Sequence, residues 1–204
     1  MIIKRKHWLL YIILSLLGFL YIYNYVQLNL SYQKLETGWD EIHYLGEDVF
    51  LGENYIDISM QAKGYSICAD TLEIVDTLDY TAENGISLDG RDASIPERLA
   101  LVSATIRNTD GLDTDLPVLL FELYGIDTYT VIDFELFYSL NPDIEPGNWG
   151  LTVQQGFEQE ILIPFRLDKA EFNPYTWNHL DNYTLSMRLT YGPARIIIQL
   201  TEIQ

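Results

Sequence analysis

The chain has 204 residues, 48% of them hydrophobic, which suffices for one packed domain with an anchor and not for two full domains with one. Asp+Glu 30 against Lys+Arg 12 give a formal net charge of -18, and with Lys4, Arg5 and Lys6 ahead of the first apolar run the remainder stands at -21. Such a surface repels nucleic acid and anionic lipid, which sets both aside as partners, and attracts cations, cationic peptides or a basic protein face.

Met1 to His7 is short and basic, and Trp8 to Tyr23 follows without a charge. Asn24, Tyr25 and Val26 extend the run to the roughly 17–20 residues that cross a hydrocarbon core. Lipid offers no partners to backbone N–H and C=O groups, so the run is predicted to be a transmembrane helix over residues 8–26. Trp8 at one end and Tyr21, Tyr23 and Tyr25 at the other suit the two membrane interfaces. The basic residues ahead of the helix put residues 1–7 in the cytoplasm and the rest outside, as a single-pass cell-membrane protein. A cleaved signal peptide would end in small residues with an Ala-x-Ala pattern, and this run ends in tyrosines. No cysteine follows closely enough for a lipoprotein cleavage site.

Residues 27–47 are polar and mixed, a stalk or linker. From Asp48 onward the apolar period becomes two, and residues 48–204 are expected to form the ectodomain. Strands are predicted at Tyr55 to Met60, Tyr65 to Ala69, part of Leu72 to Asp76, Leu99 to Arg107, Pro117 to Tyr124, Thr128 to Tyr138 and Glu160 to Phe165. Pro164 cannot donate to a ladder and argues for an edge or a bulge. Tyr183 to Tyr191 alternates without a break, odd positions apolar and even positions polar, as a half-buried strand requires. Gly192-Pro193 turns the chain and Arg195 to Ile203 returns. Short helical pieces are expected near Pro96-Glu97 and Asp168 to Phe172. Many strands at short spacing between Gly/Asn/Asp/Pro clusters define an all-β sandwich or barrel.

The run Tyr65-Ser66-Ile67, then Leu101 to Ile106 with Arg107-Asn108-Thr109, then Glu160-Ile161-Leu162-Ile163-Pro164-Phe165 resembles the Ig-like extracytoplasmic domains of unknown function. Those domains occur on anchored proteins and lipoproteins of Gram-positive bacteria. The resemblance covers Tyr55 to Phe165 and implies an Ig-like β-sandwich at the cell surface. It departs in having a helix in place of a lipidated cysteine and in lacking the Cys-Trp-Cys core of antibody domains. It carries no chemistry and so no catalytic residue.

The one cysteine, Cys68, cannot form an intramolecular disulfide and sits in a strand-like run, where a buried, inert thiol is expected. His43 and His179 are the histidines beyond the anchor, too few for a Ser-His-Asp or Cys-His arrangement or for zinc. No phosphate-cradling or hydrolase motif occurs. No cofactor is expected. Asp110, Asp113 and Asp115 form a weak candidate Ca²⁺ set, because hard oxygen ligands cluster there. An EF-hand counted from Asp110 would want Gly sixth and Glu twelfth, and it has Asp115 and Phe121. Asp70, Glu73, Asp76 and Asp79 recur every third residue, which on a strand sends successive side chains to opposite faces. Trp149, Trp177 and Tyr175 lie in loops and are the binding candidates, with the loops Asn108 to Asp115 and Asn141 to Gly150.

The function these features favour is a non-enzymatic binding or accessory domain, its partner an envelope protein or a cationic peptide. A carboxylate-dependent hydrolase of cell-wall glycan is the alternative from another class, since acids are abundant. A purely structural surface protein is the third.

Overall fold

The computed structural model describes residues 15–23, 38–57, 60–91, 93–109, 115–125, 129–147 and 150–200. Residues 15–23 are helical (α1), with Leu16, Leu17, Phe19, Leu20 and Ile22 exposed. No helix among the described residues is long and apolar enough to cross a membrane. The rest of the expected span 8–26 and most of the expected stalk lie outside the described residues.

Beyond α1 come β1 (Trp39–Tyr44), β2 (Asp48–Phe50), β3 (Tyr55–Asp57), β4 (Met60–Gln61), β5 (Tyr65–Asp76), α2 (Thr77–Glu83) and β6 (Arg98–Asn108). They are followed by β7 (Glu122–Tyr124), β8 (Tyr129–Val131), α3 (Phe134–Leu140), β9 (Glu158–Leu167), α4 (Pro174–Asn178), β10 (Leu185–Arg188) and β11 (Ala194–Leu200). One sheet has the order β1-β11-β10-β7-β8 and the other β2-β5-β6-β9; β3 and β4 pair alone. Leu123, Leu185, Met187, Ile196, Ile198 and Leu200 of the first sheet share one buried cluster with Ile67, Ala104, Ile106, Ile161, Ile163 and Phe165 of the second. The molecule is therefore a β-sandwich, each fully buried aliphatic contributing about 1.5–3 kcal/mol.

The alternation explains most strands, and a bulge explains β5. Ile67 and Ala69 face the core before it; the register shifts between Ala69 and Thr71, and Leu72 returns to the core after it. One inserted residue, Asp70, keeps the apolar side chains inside although their sequence parity changes. That change makes one long strand read as two. Pro164 lies in β9, at the sheet's edge, where its missing N–H costs no ladder bond. Lys169–Glu171 forms a 3-10 turn within the Asp168 to Phe172 stretch.

Four expectations are corrected. Trp39–Tyr44, placed in the stalk 27–47, is a strand running parallel to β11 in register from Trp39↔Ala194 to Tyr44↔Gln199. Tyr55 to Met60 is two short strands, not one. Pro117 to Tyr124 is a 3-10 turn at Val118–Leu120 followed by β7. Thr128 to Tyr138 is not a single strand: β8 ends and α3 begins, because the Asp133 carboxylate accepts the Leu136 N–H at 3.1 Å and caps the helix. Asp76 caps α2 likewise, accepting from the Leu78 and Asp79 amides.

The two sheets are covered unequally. On the outer side of the four-stranded sheet, Leu99 and Leu101 form a second cluster with Leu136 of α3, joined by Tyr80 of α2, Ile86 and Leu88. That sheet is thus packed on both faces over much of its length. The five-stranded sheet has no such cover among the described elements.

Candidate functional site

The bare outer face of the five-stranded sheet carries a depression of about 440 Å³ lined by Asp40, Glu122, Tyr124, Tyr129, Arg188, Arg195 and Ile197. Strand alternation places these residues there, since their neighbours Leu123, Met187, Ile196 and Ile198 point into the core. Register then sets the neighbours across the sheet. One row reads Ile42, Ile197, Arg188, Glu122, Val131, and the next reads Tyr44, Gln199, Ser186, Tyr124, Tyr129.

Electrostatics ties the floor together. Glu122 accepts from the Arg188 guanidinium on one oxygen and from the Tyr191 hydroxyl on the other. Arg188 also lies over the Tyr191 ring, 4.2 Å from its centre. The Arg195 Nε meets Asp40 at 2.7 Å. Two acids and two arginines thus cancel in a groove whose remaining lining is tyrosine and isoleucine. Burial pushes the Tyr191 hydroxyl up to about 12, and its hydrogen bond to Glu122 adds to this. Tyr124 is raised as well, by burial first and by Asp40 next. Both phenols are therefore neutral donors at ordinary pH.

The residues singled out from sequence lie elsewhere. Asp110, Asp113 and Trp149 are outside the described residues. Asp115 is exposed and accepts from the Thr152 hydroxyl. Trp177 is corrected as a contact residue: only 6% exposed, its ring packs 5.7 Å from Phe172 and beneath the Arg98 guanidinium, so it closes one end of the core. Tyr175 is 68% exposed and stacks on His179 at 4.4 Å. Asn141, expected in a contact loop, is buried and braces α3 against β9 through Phe137 O, Leu162 O and the Leu162 N–H. Asn108 likewise donates to Val153 O at 2.8 Å, and Thr109 bonds Gly64 O, which gives the Asn-Thr strand end a structural role.

Cys68 is buried, and desolvation, reinforced by its hydrogen bond to Asp70, raises its thiol to about 11, which makes it a poor nucleophile. Asp70 also accepts from Thr105, so the Asp70 to Asp79 series divides between a bulge contact and a helix cap. His43 sits between Glu41 and Glu47 at 3.4 and 3.3 Å. Among the described residues no group of three His, Cys, Asp or Glu is placed to hold a metal ion.

Sequence reasoning missed the groove because its residues come from five strands whose register no local pattern reveals. The available signal was Arg188 at an outward position of the clearest alternating strand. An arginine on a sheet face needs a counter-charge from a neighbouring strand.

These features define a β-sandwich protein with one sheet face open to solvent. The chain belongs to the family described as Domain of unknown function (DUF5028), matched over residues 41–196. No curated protein matches it. Two solved structures are similar in part. One is the ycdA protein of Bacillus subtilis subsp. subtilis str. 168, provisionally described as a lipoprotein: 14% identity, 69% of this chain and 37% of that one covered, TM-score 0.37. The other is an uncharacterized beta-sandwich protein from Clostridium difficile 630: 10% identity, 80% of this chain and 96% of that one covered, TM-score 0.35. The chain thus spans a little over a third of the length of the first.

Proposed function

We propose that this protein is a single-pass, membrane-anchored binding module of Ig type, held outside the cell membrane, whose ligand surface is the outer face of its five-stranded sheet. The observation that carries this is the contrast between the faces. One sheet is packed on both sides, while the other leaves a groove of paired charges and tyrosines open to solvent. Such a lining of aromatic rings with a few oriented polar groups suits recognition. The Ig assignment rests on strand order: β5-β6-β9 faces β8-β7-β10-β11, with the chain crossing between sheets after β6, β8 and β9. The anchor rests on the uncharged run after Lys4, Arg5 and Lys6, which orients the N-terminus inward.

Glycan hydrolysis is the weaker reading. Asp40 and Glu122 line the same groove, but they sit three strands apart, about 14 Å by sheet spacing. Paired catalytic carboxylates need about 5–10 Å. Each is also engaged by an arginine of the same sheet.

Hydrogen–deuterium exchange on the full chain in lipid nanodiscs tests the assignment, with muropeptides and with a lysine-rich peptide as probes. Protection should fall on residues 39–44, 122–131 and 185–200, and no new reducing ends should form. Protection confined to β5, β6 and β9, or release of sugar, would sink it. Protease added to intact cells should digest the sandwich and spare the basic N-terminus; the reverse pattern would overturn the topology.

A further inference from the structure

We propose that β1 is a docking edge that receives an extended cationic peptide segment as an added strand of the five-stranded sheet. The proposal goes beyond the groove, since it concerns the backbone edge of the sheet and not its face.

A sandwich of two open sheets has four edges, and three of them are blunted. β2 and β8 are each three residues long. The chain after β8 folds over β9, with an Ile132↔Phe165 bridge and the Asp133 N–H on Pro164 O at 2.8 Å. Proline and coverage are the usual protections of an edge, as is shortness. β1 is six residues long, without proline and uncovered by any described strand, and only at its end, Tyr44, is the backbone engaged, its N–H donating to Glu47 Oε2 and its C=O accepting the Glu47 N–H. Its six residues pair in unbroken register with β11 on one side, and among the described residues no strand pairs with the other. It contains no proline, no bulge and no lysine. Instead it exposes Trp39 at 62%, Ile42 at 50% and Tyr44 at 54%. A long, regular edge carrying large apolar side chains on both faces is a template for strand addition.

Charge selects the partner. Glu41 and Glu47 flank the edge, half-exposed, with His43 between them. Asp40 is committed to Arg195. Every arginine among the described residues is engaged within its own chain: Arg91 with Asp133, Arg98 with Trp177, Arg107 with Glu158, Arg166 with Asp133, Arg188 with Glu122 and Arg195 with Asp40. A second copy would therefore bring acid to acid, with a net charge of -18 on each side. A segment alternating basic and apolar residues would add a ladder, cover Trp39, Ile42 and Tyr44, and neutralise Glu41 and Glu47.

The probe is a capped peptide of alternating lysine and valine, titrated into the full chain in zwitterionic nanodiscs, which do not bind the peptide by charge. Binding should be saturable, weaken with salt, and fall by about tenfold or more when alternate peptide nitrogens are methylated, because each methyl removes a backbone hydrogen bond of the added ladder. Ile42→Lys should abolish it, with an unchanged far-UV circular dichroism spectrum showing that the fold survives. Glu41→Gln with Glu47→Gln should weaken it severalfold and flatten its salt dependence. Equal affinity for the methylated peptide, or no binding of either peptide, would overturn the proposal. So would binding that survives Ile42→Lys and is lost in Arg188→Ala, an outcome that leaves the groove reading intact. Association of the protein with itself, abolished by Ile42→Lys, would assign the edge to a second copy instead.

Discussion

Glu122 is held from two sides, and the more informative of its partners is a phenol. Tyr191 donates to it from a position where burial raises the hydroxyl to about 12 from an ordinary value of 10.0. A folded-state value above the unfolded one means that the folded chain keeps a proton which the unfolded chain releases. Stability from this group is therefore complete below pH about 10 and is lost as pH rises towards about 12. Tyr191→Phe keeps the ring under Arg188 and removes the titrating group. Urea midpoints between pH 9 and 12 should fall more steeply for the native protein than for Tyr191→Phe. Cys68, raised to about 11, titrates in both proteins and cancels in the comparison. Parallel curves would mean that the Tyr191–Glu122 contact carries no linkage.

At the scale of the element, two aspartates decide where strands stop, and they differ in what else they hold. Asp76 caps α2 from an exposed position, so Asp76→Ala should cost about 1 kcal/mol. Asp133 caps α3 while buried, and it also takes Arg91 at 2.6 Å and Arg166 at 3.4 Å. Asp133→Asn preserves the cap and removes one counter-charge from each arginine, while Arg91 keeps Glu135 and Arg166 keeps Asp168, so it should cost about 1.5–3 kcal/mol, more than Asp76→Ala. Urea denaturation of the two variants checks the ranking, and equal losses would reduce Asp133 to a cap. These helices were illegible to periodicity because seven residues give fewer than two turns of an apolar repeat. The legible signal was the capping aspartate before each, and it was outweighed by β-like runs around it. β6 and β9 were readable as long runs rich in aliphatic residues, ten residues or more and buried on both faces in part, and β10 with β11 because a Gly-Pro turn divides an alternating run from an isoleucine-rich one. The bulge at Asp70 disguised β5, since a parity change in the pattern is what ordinarily separates strands. The groove stayed hidden for a different reason. Arg188 and Glu122 stand 66 residues apart, and the parallel pairing of β1 with β11 joins the first strand to the last. Such pairings depend on register across the whole sheet, which no short window contains.

At the scale of the molecule, the charge balance ties stability to binding. The arginines of the described residues are all consumed in local pairs, so the acid surplus behind the -18 net charge has no internal counter-charge. Exposed carboxylates on the sandwich therefore repel one another over the screening length, which is about 30 Å at 0.01 M salt and about 10 Å at 0.1 M. Raising salt should relieve this repulsion in the folded state more than in the expanded unfolded chain, where the same charges stand further apart. For a domain of this size about 1 kcal/mol corresponds to about 2–4 °C in Tm, and a rise of that order is expected between 0.01 and 0.2 M sodium chloride. Differential scanning calorimetry at constant pH measures it. A flat or falling Tm would mean that the local ion pairs outweigh the surplus. The response of strand addition at β1 has the opposite sign, because salt screens attraction between Glu41, Glu47 and a cationic segment. A protein that gains stability and loses peptide affinity across the same salt range would show one charge surplus acting in both.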